Sequence, residues 1–214
     1  MEKLKKIWIK LVKLCGWKFN LPEKGSRHEV ERCVFVVAPH TSAWDFIIGA
    51  TYLWSCCSNG KIFIAKEFFF WPLGPFLRGL GAISIDRKSR TDHMVNVAVE
   101  EFKKNEQLSI VITPEGTRRA IERWKNGFWE IAHRANVPIV LAYVDFKKKE
   151  MGLFDTIIPS DNREADVLKV RKYYKKEMAK YPDKFIELWI KKAFRKSLGA
   201  FFKNQIYFPY LRLF

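Results

Sequence analysis

The chain has 214 residues, 48% of them hydrophobic, and a formal net charge of +16. That length fits one domain with a sizeable core, and the apolar content excludes a disordered chain. The charge selects anionic partners (nucleic acid, anionic lipid headgroups or an acidic carrier) without choosing among them. Its 18 Phe and 8 Trp, mixed with lysines, suit a membrane interface or the stacked bases of single-stranded nucleic acid.

Met1 to Phe19 reads as a basic amphipathic helix. Leu4, Ile7, Trp8, Leu11, Leu14 and Cys15 recur at three- and four-residue spacing, with Lys3, Lys5, Lys6, Lys10 and Lys13 around them. This is an interfacial anchor or a terminal helix packed on the core with a solvated lysine face. Pro22 to Arg32 is loop-like, and Cys33 to Ala38 is an apolar run typical of a buried parallel strand. A helix from about Ala43 to Cys57, a turn at Asn59-Gly60 and a strand from Lys61 to Ala65 follow. No run reaches the roughly 20 apolar residues of a spanning helix. The best uncharged stretch, Phe46 to Gly60, stops short.

Phe68 to Leu80 is apolar but carries Pro72, Gly74, Pro75 and Gly79, so it is not one regular helix; it lines a tunnel or is core. Ala82 to Asp86 is a strand, Thr91 to Lys104 a helix with Thr91 as N-cap, and Leu108 to Ile112 a strand. The loop Thr113 to Arg118 leads to a helix over about Asn126 to Ala135 and a strand over Val137 to Val144. Residues 153–159 add an edge strand; Arg163 to Lys180 and Asp183 to Phe202 read as helices, and Gln205 to Phe214 as an aromatic, basic tail. Strands alternating with helices predict an α/β domain with a largely parallel central sheet flanked by helices. Ligands in such folds bind beyond the strand carboxyl ends, where the segments after Ala38 and after Ile112 lie.

His40 follows the first buried strand, and Asp45 falls in the first turn of the next helix. A neutral imidazole can take a hydroxyl proton while a carboxylate on its other nitrogen fixes the tautomer. Ser42-Ala43-Trp44-Asp45 equally fits a capping box, in which Asp45 serves the helix start alone. In Thr113-Pro114-Glu115-Gly116-Thr117-Arg118, Gly116 lets backbone amides approach an anion and Arg118 offers a planar fork for phosphate. His28, His93 and His133 read as surface or helix-packing residues, and Asp86-Arg87 as an internal ion pair. Cys15, Cys33, Cys56 and Cys57 show no metal-ligand spacing, so no metal is expected. With no evident cleavable signal peptide, they fit a reduced, cytosol-facing protein.

These motifs together resemble the glycerolipid acyltransferases, the family of bacterial lysophosphatidic acid acyltransferase. The resemblance rests on four ordered blocks: His40 with Asp45; Lys66-Glu67 through Pro72, Gly74 and Gly81 to Asp86-Arg87; Pro114-Glu115-Gly116-Thr117-Arg118; and Val137-Pro138-Ile139-Val140. It spans about residues 34–144. It implies His40 as general base and Asp45 as its orienting partner. It implies an acyl thioester donor on acyl carrier protein or coenzyme A, a lysolipid acceptor, no acyl-enzyme and no cofactor. It suggests Arg118, then Lys66 and Arg87, for the acceptor headgroup, with Gly116 and Thr117 in the substrate loop. Amides around Gly116 are candidate oxyanion donors. Glu115 binds substrate or holds the loop in shape. Residues 1–20 would be a membrane-surface helix and 21–214 the acyltransferase domain, peripheral on the cytoplasmic face of an anionic cell membrane.

Two departures, Thr113 where the family usually has Phe and Pro39 where Asn is frequent, suggest a divergent subgroup. They bear on the acceptor more than on the reaction: 1-acylglycerol-3-phosphate is the first expectation and another lyso-lipid, such as an amino-acid lipid, the second. The competing readings are a non-catalytic membrane- or nucleic-acid-binding protein and a hydrolase that activates water with the same pair. No helix-turn-helix, RNP or zinc pattern supports nucleic acid as a partner.

Overall fold

The computed structural model describes residues 2–22, 30–86 and 91–187. In chain order its first elements are α1 (Glu2–Leu14), β1 (Lys18–Phe19), β2 (Arg32–Ala38), α2 (Trp44–Cys56), β3 (Gly60–Ala65), α3 (Leu73–Gly79) and β4 (Ala82–Ile85). Then come α4 (Thr91–Lys104), β5 (Leu108–Ile112), α5 (Gly127–Ala135), β6 (Ile139–Asp145), β7 (Glu150–Ile157) and α6 (Arg163–Arg171). Among the described residues the strands form one seven-stranded sheet in the order β1-β7-β6-β2-β5-β3-β4. The β6–β7 pair is antiparallel, and all the other pairs are parallel.

Strand alternation explains why the central strands are apolar on both faces, with Ser109 of β5 and Asp145 at the end of β6 as buried polar exceptions. Side chains point to opposite faces at period two, so a strand covered on both sides has no polar face. In β2, Val34, Val36 and Ala38 pack with Ile110, Leu141 and the buried faces of α4 and α5. Cys33, Phe35 and Val37 pack on the other face with Val12 of α1, Ile48 and Leu53 of α2, and Val140 and Ala142 of β6. β2 lies between β5 and β6, with Val36 opposite Ile112 and Leu141. The two loops of interest therefore leave adjacent parallel strands at the same edge. From β2 the chain crosses toward β3, and from β5 it crosses back to β6, so the loops part where the strand order reverses.

Several expectations change at the margins. β1 is absent from the sequence reading and pairs with β7, so β7 is not an edge strand. β7 also starts earlier than expected, at Glu150, paired with Asp145. The helix expected over Arg163–Lys180 stops at Arg171. The buried Tyr174 hydroxyl donates to the Val36 carbonyl at 2.8 Å, with the Ala142 carbonyl 3.2 Å away, and this draws the chain over the sheet. The expected helix over 183–202 opens as a 3-10 turn at Pro182–Lys184, with Phe185 extended. Most of it, the tail, His28 and Arg87 lie outside the described residues. No described helix is long and apolar enough to cross a membrane.

Candidate active site

The turn after β2 is organised by one carboxylate. Asp45 Oδ2 accepts the backbone N–H groups of Thr41 at 2.6 Å and Ser42 at 2.7 Å, and lies 3.1 Å from His40 Nδ1. Asp45 Oδ1 accepts the Ser42 hydroxyl at 2.8 Å, and Ser42 Oγ accepts the Trp44 N–H at 3.1 Å. Capping and imidazole orientation are thus one arrangement rather than alternatives. With Nδ1–H donated to the carboxylate, Nε2 is the nitrogen that can take a proton.

The loop after β5 meets this turn from the side. Glu115 is 4% exposed, and its Oε1 accepts the His40 N–H at 2.9 Å. Its Oε2 is buried with no hydrogen-bond partner. Burial pushes the Glu115 carboxyl up to about 7 against the opposing pull of the His40 amide. Of its two expected roles, holding the loop fits this geometry, because Glu115 is bonded to the His40 amide and is not among the residues that line the cavity. Gly116 has φ +63°, the left-handed region that favours glycine, and its N–H closes a turn onto the Thr113 carbonyl at 3.0 Å. That amide is engaged, so oxyanion candidacy passes to the amides of Thr117 and Arg118.

His40 opens onto a cavity of about 500 Å³, within the usual range for small-ligand sites. Its rim carries Gly116, Thr117, Arg118 and Lys125, and its body is apolar: Phe46 and Ala50 of α2, Ile62 and Ile64 of β3, Leu77 of α3, and Phe128. Phe68, Leu73 and Leu77 of the segment expected as tunnel or core face this space. Among the predicted anion ligands, Arg118 is exposed at the rim. Lys66 is exposed and paired with Asp86, which itself lines the cavity; that pairing raises the Lys66 pKa. Lys66 thus answers to Asp86 first. His93 is exposed, and His133 stacks on Trp129 at 4.6 Å, both as expected of residues outside the site.

Sequence reasoning missed the strap of residues 173–185. Tyr181 N–H donates to Thr41 Oγ1 at 3.3 Å. The Lys180 ammonium lies 4.9 Å from the Trp44 ring centroid, 5.7 Å from that of Phe146 and 5.9 Å from that of Tyr181. The strap thus buttresses the His40–Asp45 turn through Thr41 and Trp44, neither of which lines the cavity. A contact made across 140 residues leaves no local pattern to read.

The acyltransferase family model matches residues 19–144, more than half of the chain. The chain belongs to the acyltransferase family. It is accordingly an acyl-transferring enzyme, and the non-catalytic reading falls. No curated protein matches it. Among solved structures it is similar to the 1-acyl-sn-glycerophosphate acyltransferase PlsC from Thermotoga maritima. That match has a TM-score of 0.59 and 16% identity, over 80% of this chain and 75% of that one. At that identity the likeness speaks for the fold: the mostly parallel sheet flanked by helices is the acyltransferase fold.

Proposed function

We propose that this acyltransferase moves a fatty acyl group from a thioester donor, acyl carrier protein or coenzyme A, to the free hydroxyl of a lysophospholipid. The acceptor that fits best is 1-acylglycerol-3-phosphate, the substrate class in the name of the PlsC neighbour. The observation that carries this reading is His40, held on Asp45 at 3.1 Å and opening onto an apolar cavity rimmed by Arg118.

His40 Nε2 takes the proton of the acceptor hydroxyl as its oxygen attacks the thioester carbonyl carbon. Asp45 stabilises the imidazolium without itself taking the proton. The tetrahedral oxyanion meets the loop amides of Thr117 and Arg118. The C–S bond breaks, and the departing thiolate receives the proton from His40. The apolar cavity takes an acyl chain, and Arg118 takes the headgroup phosphate, a task in which Lys66 and Arg87 assist. Glu115 acts through the His40 backbone. The enzyme works as a peripheral protein on the cytoplasmic face of an anionic membrane, with residues 1–20 as its surface helix. Two features support that placement: Ile7, Leu11 and Leu14 of α1 are exposed beside the helix's lysines, while Val12 is buried and Trp8 Nε1 donates to Thr51 Oγ1 at 3.0 Å.

The test is acyl transfer by the purified chain from acyl thioesters to a panel of lysolipids, read by lipid mass spectrometry. Acylated 1-acylglycerol-3-phosphate is expected, with His40→Ala reducing turnover by about 10²–10⁴-fold. Full turnover by His40→Ala overturns the base assignment, and thioester loss without acylated lipid replaces transfer by hydrolysis.

A further inference from the structure

We propose that residues 68–76 form a second membrane-contacting element, a knuckle whose Phe70, Trp71 and Phe76 enter an anionic bilayer beside α1 and seat the cavity mouth against it. The segment has two faces. Leu73 and the neighbouring Leu77 line the cavity, and Phe68 forms its lip, lining the space while half exposed. Phe70, Trp71 and Phe76 lie outside that lining and are 58%, 85% and 55% exposed. Single exposed apolar residues are ordinary, but three large aromatics within seven positions mark an interaction site. The shape is built by close approach. Gly74 N–H donates to the Phe70 carbonyl at 2.6 Å, and a Cβ at Gly74 would lie 2.7 Å from the Phe69 carbonyl oxygen. Arg78 lies over the Phe69 ring at 5.5 Å.

Charge and continuity identify the partner. The Lys5 ammonium of α1 lies 5.8 Å from the Trp54 ring centroid, and Trp54 Nε1 donates to the Leu80 carbonyl, just past α3, at 3.4 Å. The knuckle's helix and α1 are therefore neighbours through Trp54. α1 adds exposed Ile7, Leu11 and Leu14, together with exposed Lys3, Lys6, Lys10 and Lys13. Aromatic side chains with lysines beside them match the headgroup boundary of an anionic bilayer. A fluid surface also takes protruding rings without a complementary groove. An acyl chain or lysolipid leaving the bilayer at the knuckle passes Phe68 directly into the cavity.

The cavity's role rests on the proposed acyl transfer, whereas the membrane contact does not, and the experiment reads them separately. The full chain and a Phe70→Ser/Trp71→Ser/Phe76→Ser variant are floated with phosphatidylglycerol vesicles and with phosphatidylcholine vesicles. Binding to phosphatidylglycerol is expected to fall about ten-fold or more in the variant. Turnover of water-soluble short-chain substrates is expected to persist while turnover of vesicle-embedded acceptor falls. Unchanged vesicle binding overturns the proposal. So does equal loss on soluble and embedded substrates, which makes the knuckle a cavity wall. A concentration-dependent dimer abolished by the variant also overturns it, because the face is then a protein contact. Should the variant misfold, Trp71→Phe serves: brominated lipid chains are expected to quench fluorescence in the native chain that this variant lacks, and equal quenching sinks the idea. A native chain that binds vesicles through the knuckle but transfers no acyl group upholds the contact and removes the proposed reaction.

Discussion

Asp45 and Glu115 flank His40 from two loops, each 4% exposed and each accepting backbone amides of the same turn. Their satisfaction differs sharply. Asp45 receives two backbone N–H groups, a hydroxyl and the imidazole. Glu115 receives the His40 amide on one oxygen and leaves the other buried without a partner. Burial alone therefore does not fix what a carboxylate does. Donors converging on Asp45 make it the organiser of the turn, whereas the lack of them on Glu115 makes it a group poised to titrate near neutrality.

The largest effect is expected at Asp45. Asp45→Asn can still turn an oxygen to the Thr41 and Ser42 N–H groups, but it removes the imidazole's anion and sets an amide donor against the Ser42 hydroxyl, which donates to the native carboxylate. A fall in turnover of about 10²–10⁴-fold and a stability loss of about 1–3 kcal/mol are expected. Steady-state kinetics and urea denaturation check the two. Lost stability with intact turnover would reduce Asp45 to a cap.

Glu115→Gln sharpens the other side. The unfolded carboxyl titrates near 4.5, but the folded one holds its proton up to about 7. The stability linked to that proton is complete below about 4.5 and lost as pH rises through about 7. Glutamine has no such loss. Asp45, His40, Tyr174 and Arg171 supply the neighbouring charges and dipoles and are unchanged in the variant. At pH 8 the variant is expected to be more stable than the native chain by on the order of 3 kcal/mol, with the difference fading by pH 4.5. Urea titrations at several pH values measure it, and a pH-independent difference would contradict the raised pKa.

The remaining effects are smaller. Gly116→Ala must hold φ +63° and brings a Cβ within 3.0 Å of Lys125 Cε, so a loss of about 1–2 kcal/mol in thermal unfolding is expected. Lys180→Met removes the cation over Trp44 on the Asp45 side, with a loss of about 0.5–1 kcal/mol, and Lys180→Arg is expected to restore it. If Lys180→Arg behaves like Lys180→Met, the contact is packing rather than cation–π attraction.

The parallel sheet was legible because β2, β5 and β6 are apolar on both faces, which only a doubly covered strand requires. The His40–Asp45 pairing was legible because five residues of chain confine it. The strap was not. Tyr174 reads as one more tyrosine in a basic helix, and only the packed sheet reveals the carbonyls its hydroxyl serves. Nor could sequence say that Gly116 spends its own amide on Thr113, since a flexible residue and an engaged one look alike in a motif.

The strap also fixes an order of events during synthesis. Thr41 leaves the ribosome 140 residues before Tyr181, a delay of roughly ten seconds or more at ordinary elongation rates. Through that interval the Val36 carbonyl lacks the hydroxyl that Tyr174 will bring. A fragment cut at the family boundary, residues 19–144, would stay permanently in this half-made condition. The portable unit of this enzyme is thus longer than its recognisable domain, and grafting or truncation designs should carry the chain through Phe185.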